Sequence, residues 1–240
     1  MQRKVLIVIA MVAVVAFTAS LVWAQPKGTT TSTVTLGEIF KGGGWIGWVI
    51  VGVSMLGLGL AIDNSVNLRR EKLAPPEIID EVEALFEAGD YQEAIELCEA
   101  EPNVFTNIVA AGLPKLNSSF EAMEKAIGDM TEEEAIKLHQ RVGWLSFIAN
   151  VSPMLGLLGT VWGMIISFKT IADLKGNATP EDLATGVYQA LITTLFGLLV
   201  AIPITLVYVL FRNRVIRTLI EIAAMVEDLF ERFRPTKAAT

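Results

Sequence analysis

The chain has 240 residues, 52% of them hydrophobic, and a mean hydropathy of +0.52, too apolar for an ordinary soluble domain. A net charge of −7 excludes a basic nucleic-acid-binding surface. One cysteine, Cys98, and one histidine, His139, exclude an internal disulfide and a metal cluster built on either residue type.

Residues 1–24 open with Arg3 and Lys4, continue as an apolar stretch over 5–22 and close on Val22-Trp23-Ala24, the pattern of a signal peptide. The stretch is long for a signal, so an uncleaved first span competes with cleavage. Both readings put Gln25 outside the cytoplasm. Residues 25–41 read as a polar periplasmic linker with a short amphipathic segment over 36–40, and KGGGW as a flexible entry into the bilayer.

Residues 42–62 carry no charged side chain and match the ~20 residues a helix needs to cross ~30 Å of hydrocarbon. Trp45 and Trp48 suit the membrane interface, and Arg69, Arg70 and Lys72 mark the cytoplasmic side. Residues 63–142 read as an acidic, helical cytoplasmic domain. Its segment 71–134 holds 17 acidic residues against Lys72, Lys115 and Lys125. Pro75-Pro76 and Gly89-Asp90 bracket the two arms of a helical hairpin, with Tyr91, Ala94, Ile95 and Leu97 as its apolar stripe and Cys98 in its core. A further helix runs from Val104 toward Pro114, and a long one starts near Ser118 or Ser119 and carries His139 as a surface residue toward the membrane. The acidic face reads as solvated surface.

The second uncharged run, 143–168, is entered past Lys137 and Arg141 and left through Lys169; residues 169–182 form a short periplasmic loop. The third, 183–211, ends at Arg212, Arg214 and Arg217. Positive flanks on the cytoplasmic side agree at all three spans. Residues 212–240 read as a cytoplasmic helix and tail, with Leu219, Ile222, Met225, Val226 and Leu229 on one side of a helix over 215–233. The fold class is therefore an all-α membrane protein: three transmembrane helices after a signal-like segment, with long helices extending into a helical cytoplasmic domain.

At ~100° per residue, Ser152, Gly156, Thr160, Gly163 and Ser167 share one face of the second span, with Gly159 beside them. On the third, Thr185, Gly186, Gln189, Thr193 and Gly197 group together and Thr194 lies ~100° from Thr193. Small residues let backbones approach closely in lipid, so Ser152, Pro153, Gly156, Gly159, Gly163, Gly186, Gly197 and Pro203 are candidate helix-packing positions. Pro153 can kink its helix, with Ser152 supplying a partner to the freed backbone group, and Pro203 interrupts the third span. Thr160, Gln189, Thr193 and Thr194 are candidates for a pore or proton-pathway lining. Simple helix packing explains the same stripes.

The segments VSPMLGLLGTVWGMIISF and GVYQALITTLFGLLVAIPITLVYVLFRNRV resemble the proton-channel family of MotA, TolQ and ExbB, nearest ExbB and TolQ. The resemblance covers at least 143–215. It implies a homopentamer around two copies of an ExbD- or TolR-like single-span partner, in a bacterial inner membrane with the mature N-terminus in the periplasm. Proton entry then drives a motor that passes force to a TonB- or TolA-like energy transducer and envelope partners. Thr160 and Thr194 match threonines that line the family's interior, and Gln189 stands where ExbB and TolQ usually carry glutamate. An amide neither takes up nor releases a proton at physiological pH. No Asp, Glu, Lys, Arg or His lies in the three uncharged runs, so the resemblance places the proton carrier on the partner. No catalytic triad, phosphate loop or metal-ligand spacing appears, and neither enzyme activity, a metal nor a cofactor is expected. The alternatives are a structural membrane assembly that has lost transport and a stand-alone ion channel.

Overall fold

The computed structural model describes residues 42–116 and 118–234. The signal-like segment 1–24, the linker through residue 41 and the tail 235–240 lie outside the described residues. Those described are helical, with no strand among them: α1 (Gly44–Asn67), α2 (Arg70–Leu73), α3 (Pro76–Ala88), α4 (Tyr91–Ala100), α5 (Val104–Gly112), α6 (Phe120–Asp173) and α7 (Pro180–Glu231). Helices α1, α6 and α7 are each long and apolar enough to cross a membrane.

The described residues divide into two units: 42–58 with Ser146–Leu206, and Gly59–Leu145 with 207–234. In the first, α1 rests on α7 through Ile46, Ile50, Ile192 and Phe196, all buried, with Leu155 of α6 packed against them. Trp45 of α1 meets Trp162 of α6 edge-on at 5.9 Å between ring centroids. A Cβ on Gly57 would stand 3.3 Å from Ile148 of α6, so α1 touches that helix as well. Large apolar side chains such as Met154, Leu191 and Ile202 point outward and stay exposed, which suits a lipid solvent.

The second unit is built as a water-soluble domain is built. Proline opens α3 at its first position and Gly89, at φ +81°, closes it in the left-handed conformation that favours glycine. Asn103 and Thr106 cap α5 reciprocally: Thr106 N–H donates to Asn103 Oδ1 at 3.0 Å and Asn103 N–H to Thr106 Oγ1 at 2.8 Å. Phe86 sits on Phe230 at 5.3 Å and on Tyr91 at 5.7 Å, with Phe233 closing the cluster against Tyr91 at 5.6 Å. Arg232 Nη1 donates to the Phe86 carbonyl at 3.1 Å. Cys98 is buried in the α4 face, and desolvation pushes its thiol up to about 11. Exposed ion pairs join Asp63 to Arg141 at 2.9 Å and Arg70 to Glu221 at 3.2 Å.

Three local expectations change. Pro203 does not interrupt its helix: α7 runs through it, as α6 runs through Pro153, because proline removes only one donor from a long ladder. The helix over 215–233 is not a separate element but the end of α7. No glycine or proline intervenes, and Val215, Leu219, Ile222, Val226 and Leu229 continue a buried stripe in phase. Ser152 does not serve the carbonyl that Pro153 frees, that of Ala149. Its hydroxyl donates to the Ile148 carbonyl at 2.7 Å.

Candidate functional site

The small-residue faces of α6 and α7 meet along their length, one chain direction against the other. A Cβ on Gly156 would stand 3.1 Å from the Thr193 carbonyl oxygen and 3.1 Å from Thr194 Cα. One on Gly197 would stand 2.6 Å from the Ser152 carbonyl, and one on Gly186 would stand 2.6 Å from the Gly163 carbonyl. A Cβ on Gly163 would press on Ala190, and one on Gly159 would overlap the Thr193 side chain. Contact thus persists from Ser152 to Ser167, about 22 Å of helix. At Gly156, Gly163, Gly186 and Gly197 main-chain carbonyls lie where side chains would otherwise be, which explains why glycine occupies these four positions.

Close approach lets hydroxyl groups cross the interface. Ser167 Oγ donates to the Gly163 carbonyl of its own helix at 3.2 Å and lies 3.3 Å from the Leu183 carbonyl of α7. Thr194 Oγ1 donates to the Ala190 carbonyl at 3.2 Å and lies 3.4 Å from the Gly156 carbonyl of α6. Thr193 is fully buried and donates to the Ala190 carbonyl at 2.9 Å. Thr160 donates to the Leu157 carbonyl at 2.6 Å. Thr160 and Thr194 remain partly exposed.

The face that the helical projection drew on α7 is divided between two neighbours. Gly186, Thr193 and Gly197 face α6, whereas the half-buried Gln189 amide abuts Gly44 at the start of α1, and Thr185 is exposed. The glycine run of α1 is accordingly a packing device. A Cβ on Gly42 would come 2.8 Å from Tyr188 and one on Gly43 would come 3.3 Å from Phe196, while Gly44 adopts φ +56° beneath Gln189. Sequence reasoning missed Gly44 and Ala190. Ala190 continues the small stripe between Gly186 and Gly197, a visible signal; the partner of Gly44 is a tertiary fact with none. Among the described residues, no Asp, Glu, Lys, Arg or His stands at this crossing, so nothing there titrates near neutral pH.

Residues 100–224 match the MotA/TolQ/ExbB proton channel family. The chain is similar to an ExbB homolog of Methanothermobacter thermautotrophicus, 32% identical over 182 residues, covering 75% of this chain and 64% of that protein. It is 35% identical over 147 residues to the Tol-Pal system protein TolQ of Pseudomonas aeruginosa, covering 61% of this chain and 58% of TolQ. Over 80 residues it is 42% identical to the biopolymer transport protein exbB1 of Vibrio cholerae, 33% of this chain and 35% of that one. The chain thus spans less than two thirds of the length of each. With more than half its length matched to the family and three membrane-length helices, it is a multi-pass membrane protein and belongs to the MotA/TolQ/ExbB proton channel family.

Proposed function

We propose that the chain is the scaffold subunit of a proton-driven motor in a bacterial inner membrane. In this reading several copies, five by family resemblance, surround two copies of an ExbD- or TolR-like single-span partner. They pass energy to envelope partners through a TonB- or TolA-like transducer, and the mature N-terminus is periplasmic. The observation that carries the proposal is a pair of partly exposed threonines at the α6–α7 crossing, Thr160 and Thr194, in a family of proton channels. Around them the three uncharged runs hold no Asp, Glu, Lys, Arg or His. The chain supplies the lining, and the partner supplies the carboxyl group that carries the proton.

The residues take different parts. Thr160 and Thr194 face the passage. Thr193 holds α7 against α6, and Gln189 sits beside the path at the foot of α1, polar without titrating. Small-residue packing at Gly156, Gly159, Gly163, Gly186 and Gly197 sets the width. One charge crossing 100 mV releases ~2.3 kcal/mol, so a few protons match a substantial conformational step. The amide at Gln189 also favours a second reading, an assembly that organises envelope proteins without transport.

Purification from native membranes tests the choice. The motor reading expects a co-purifying single-span protein with a carboxyl side chain inside the membrane, and proton flux when the complex is reconstituted. A complex that contains such a protein and carries no protons supports the structural assembly. A preparation of this chain alone contradicts the motor.

A further inference from the structure

A second group of polar side chains lies on the α6–α7 pair, nearer its cytoplasmic end. Ser146 stands nine residues from Leu155 and Thr205 nine from Phe196, so each lies about 180° round its helix from a residue packed in the core with α1. Asn150 and Thr160 lie about 40° to either side of the Ser146 direction. A Cβ on Gly197 would meet the Ser152 carbonyl, and the helices run antiparallel, so Ser146 is level with about residue 203 of α7, close to Thr205. Asn150 comes nine residues after Arg141 and Thr205 seven before Arg212, which sets both about 10–14 Å inside the uncharged runs. Asn150 is exposed; its Nδ2 donates to the Ser146 carbonyl at 2.9 Å and lies 3.5 Å from Ser146 Oγ. Among the described residues no group donates to its Oδ1. Thr205 is exposed as well and donates to the Ala201 carbonyl at 2.7 Å, which leaves its lone pairs free. Between these residues and the threonine crossing the same face carries Leu157 and Leu198, both exposed, so the two polar groups are separate.

A carboxamide oxygen turned to hydrocarbon goes without a hydrogen bond, which is costly where no water reaches. The outward face of α1 avoids that cost at the same depth with Met55, Leu56 and Leu58. We propose that Asn150, Ser146 and Thr205 line a water-filled exit through which a proton that has left the threonine crossing reaches the cytoplasm. Asn150 Oδ1 and Thr205 Oγ1 accept hydrogen bonds from that water and hold it in place. Each water takes up one proton and passes one on, so no side chain changes its charge and none of the three has to titrate. A contact with a second copy of the chain would also cover Asn150. The direction it shares with Thr160 and Thr194, away from α1, favours the passage.

The inference rests on the functional reading above, and two readouts on one preparation separate them. Cys98 is the chain's one cysteine, so Cys98→Ala clears the background. In inverted membrane vesicles holding the native complex, Asn150→Cys and Thr205→Cys are exposed to a charged, membrane-impermeant thiol reagent on the cytoplasmic side. Modification is read as the mass of this chain. A thiol ionises and reacts only where water reaches it, so both should be modified at least about tenfold faster than Leu56→Cys, at matching depth on α1. In the reconstituted complex, Asn150→Leu with Thr205→Val should lower proton flux about five- to tenfold, the factor for one hydrogen bond lost from the water chain. Asn150→Gln with Thr205→Ser should lower it less, because both keep oxygen on that face. Should Asn150→Cys fail to assemble, Thr205→Cys alone carries the labelling test. Modification as slow as at Leu56→Cys overturns the exit and leaves the motor standing, with contact between copies as the cover for Asn150. Fast modification in a complex that passes no protons overturns the functional reading and the exit with it.

Discussion

The two units bury their helices by opposite means. In the first, α6 and α7 meet through glycine and hydroxyl residues, and large side chains such as Leu191 and Ile202 turn outward. In the second, Phe86, Phe105, Leu68 and Ile222 are fully inside and the acidic residues of α3 and α4 face out. The difference follows from the solvent. In water, covering apolar surface stabilises by ~25 cal/mol per Å², so the largest side chains go in. In lipid that gain vanishes, and close backbone packing with hydrogen bonds across helices takes its place. One helix obeys both rules in turn: α7 buries Gly186 and Gly197 in one unit and Val215, Ile222 and Val226 in the other.

The sharpest way to break the comparison is to shrink one of the largest buried side chains of the second unit. Phe86→Ala should cost ~3–5 kcal/mol, read as a fall in the denaturation midpoint of the second unit. Enlarging a glycine is the matching test in the first unit. Gly159→Leu should cost ~1–3 kcal/mol in detergent thermal melts. The obstacle to a Cβ at Gly159 is the Thr193 side chain. Thr193→Ala removes Oγ1 and Cγ2 but keeps the Cβ, so it should recover only a minor part of the loss in Gly159→Ala, and Thr193→Gly more of the steric cost. At Gly156 the obstacles are backbone atoms of Thr193, Thr194 and Gly197, and no trimming of a side chain should help.

Much of this was legible in the sequence. The three apolar runs, their positive flanks and the glycine stripe on α6 are consequences of local spacing, and the structure has helices over all three runs. Two features were not. The split of the α7 face between α6 and α1 depends on which neighbour each residue meets, so Gln189 grouped with Thr193 by angle lies against Gly44 instead. The continuity of α6 and α7 through their prolines depends on helical context on both sides, which a single-residue breaker rule ignores.

Smaller effects sharpen the picture through pH. Burial raises the Cys98 thiol from 9.0 to about 11, so it favours the neutral form in the folded state. That contribution is present below about pH 9 and is lost as pH rises toward 11. A melting series across this window should show a loss of stability that Cys98→Ala flattens. The smallest change is at the start of α7, where hydrogen bonds from the Thr179 hydroxyl and backbone N–H hold the Asp182 carboxyl below its ordinary value. Its support is present above the usual carboxylate pKa and fades as pH falls through the lowered one. Hydrogen exchange at the first turn of α7 should therefore quicken in acid, and Asp182→Asn should remove that dependence.

The central claim is that this chain lines a path through the membrane and carries no Asp, Glu, Lys, Arg or His within it. Purified alone, sealed into vesicles and placed under a pH gradient with a potassium diffusion potential, it should pass protons no faster than protein-free vesicles. Sustained proton flux through the chain by itself would contradict the account.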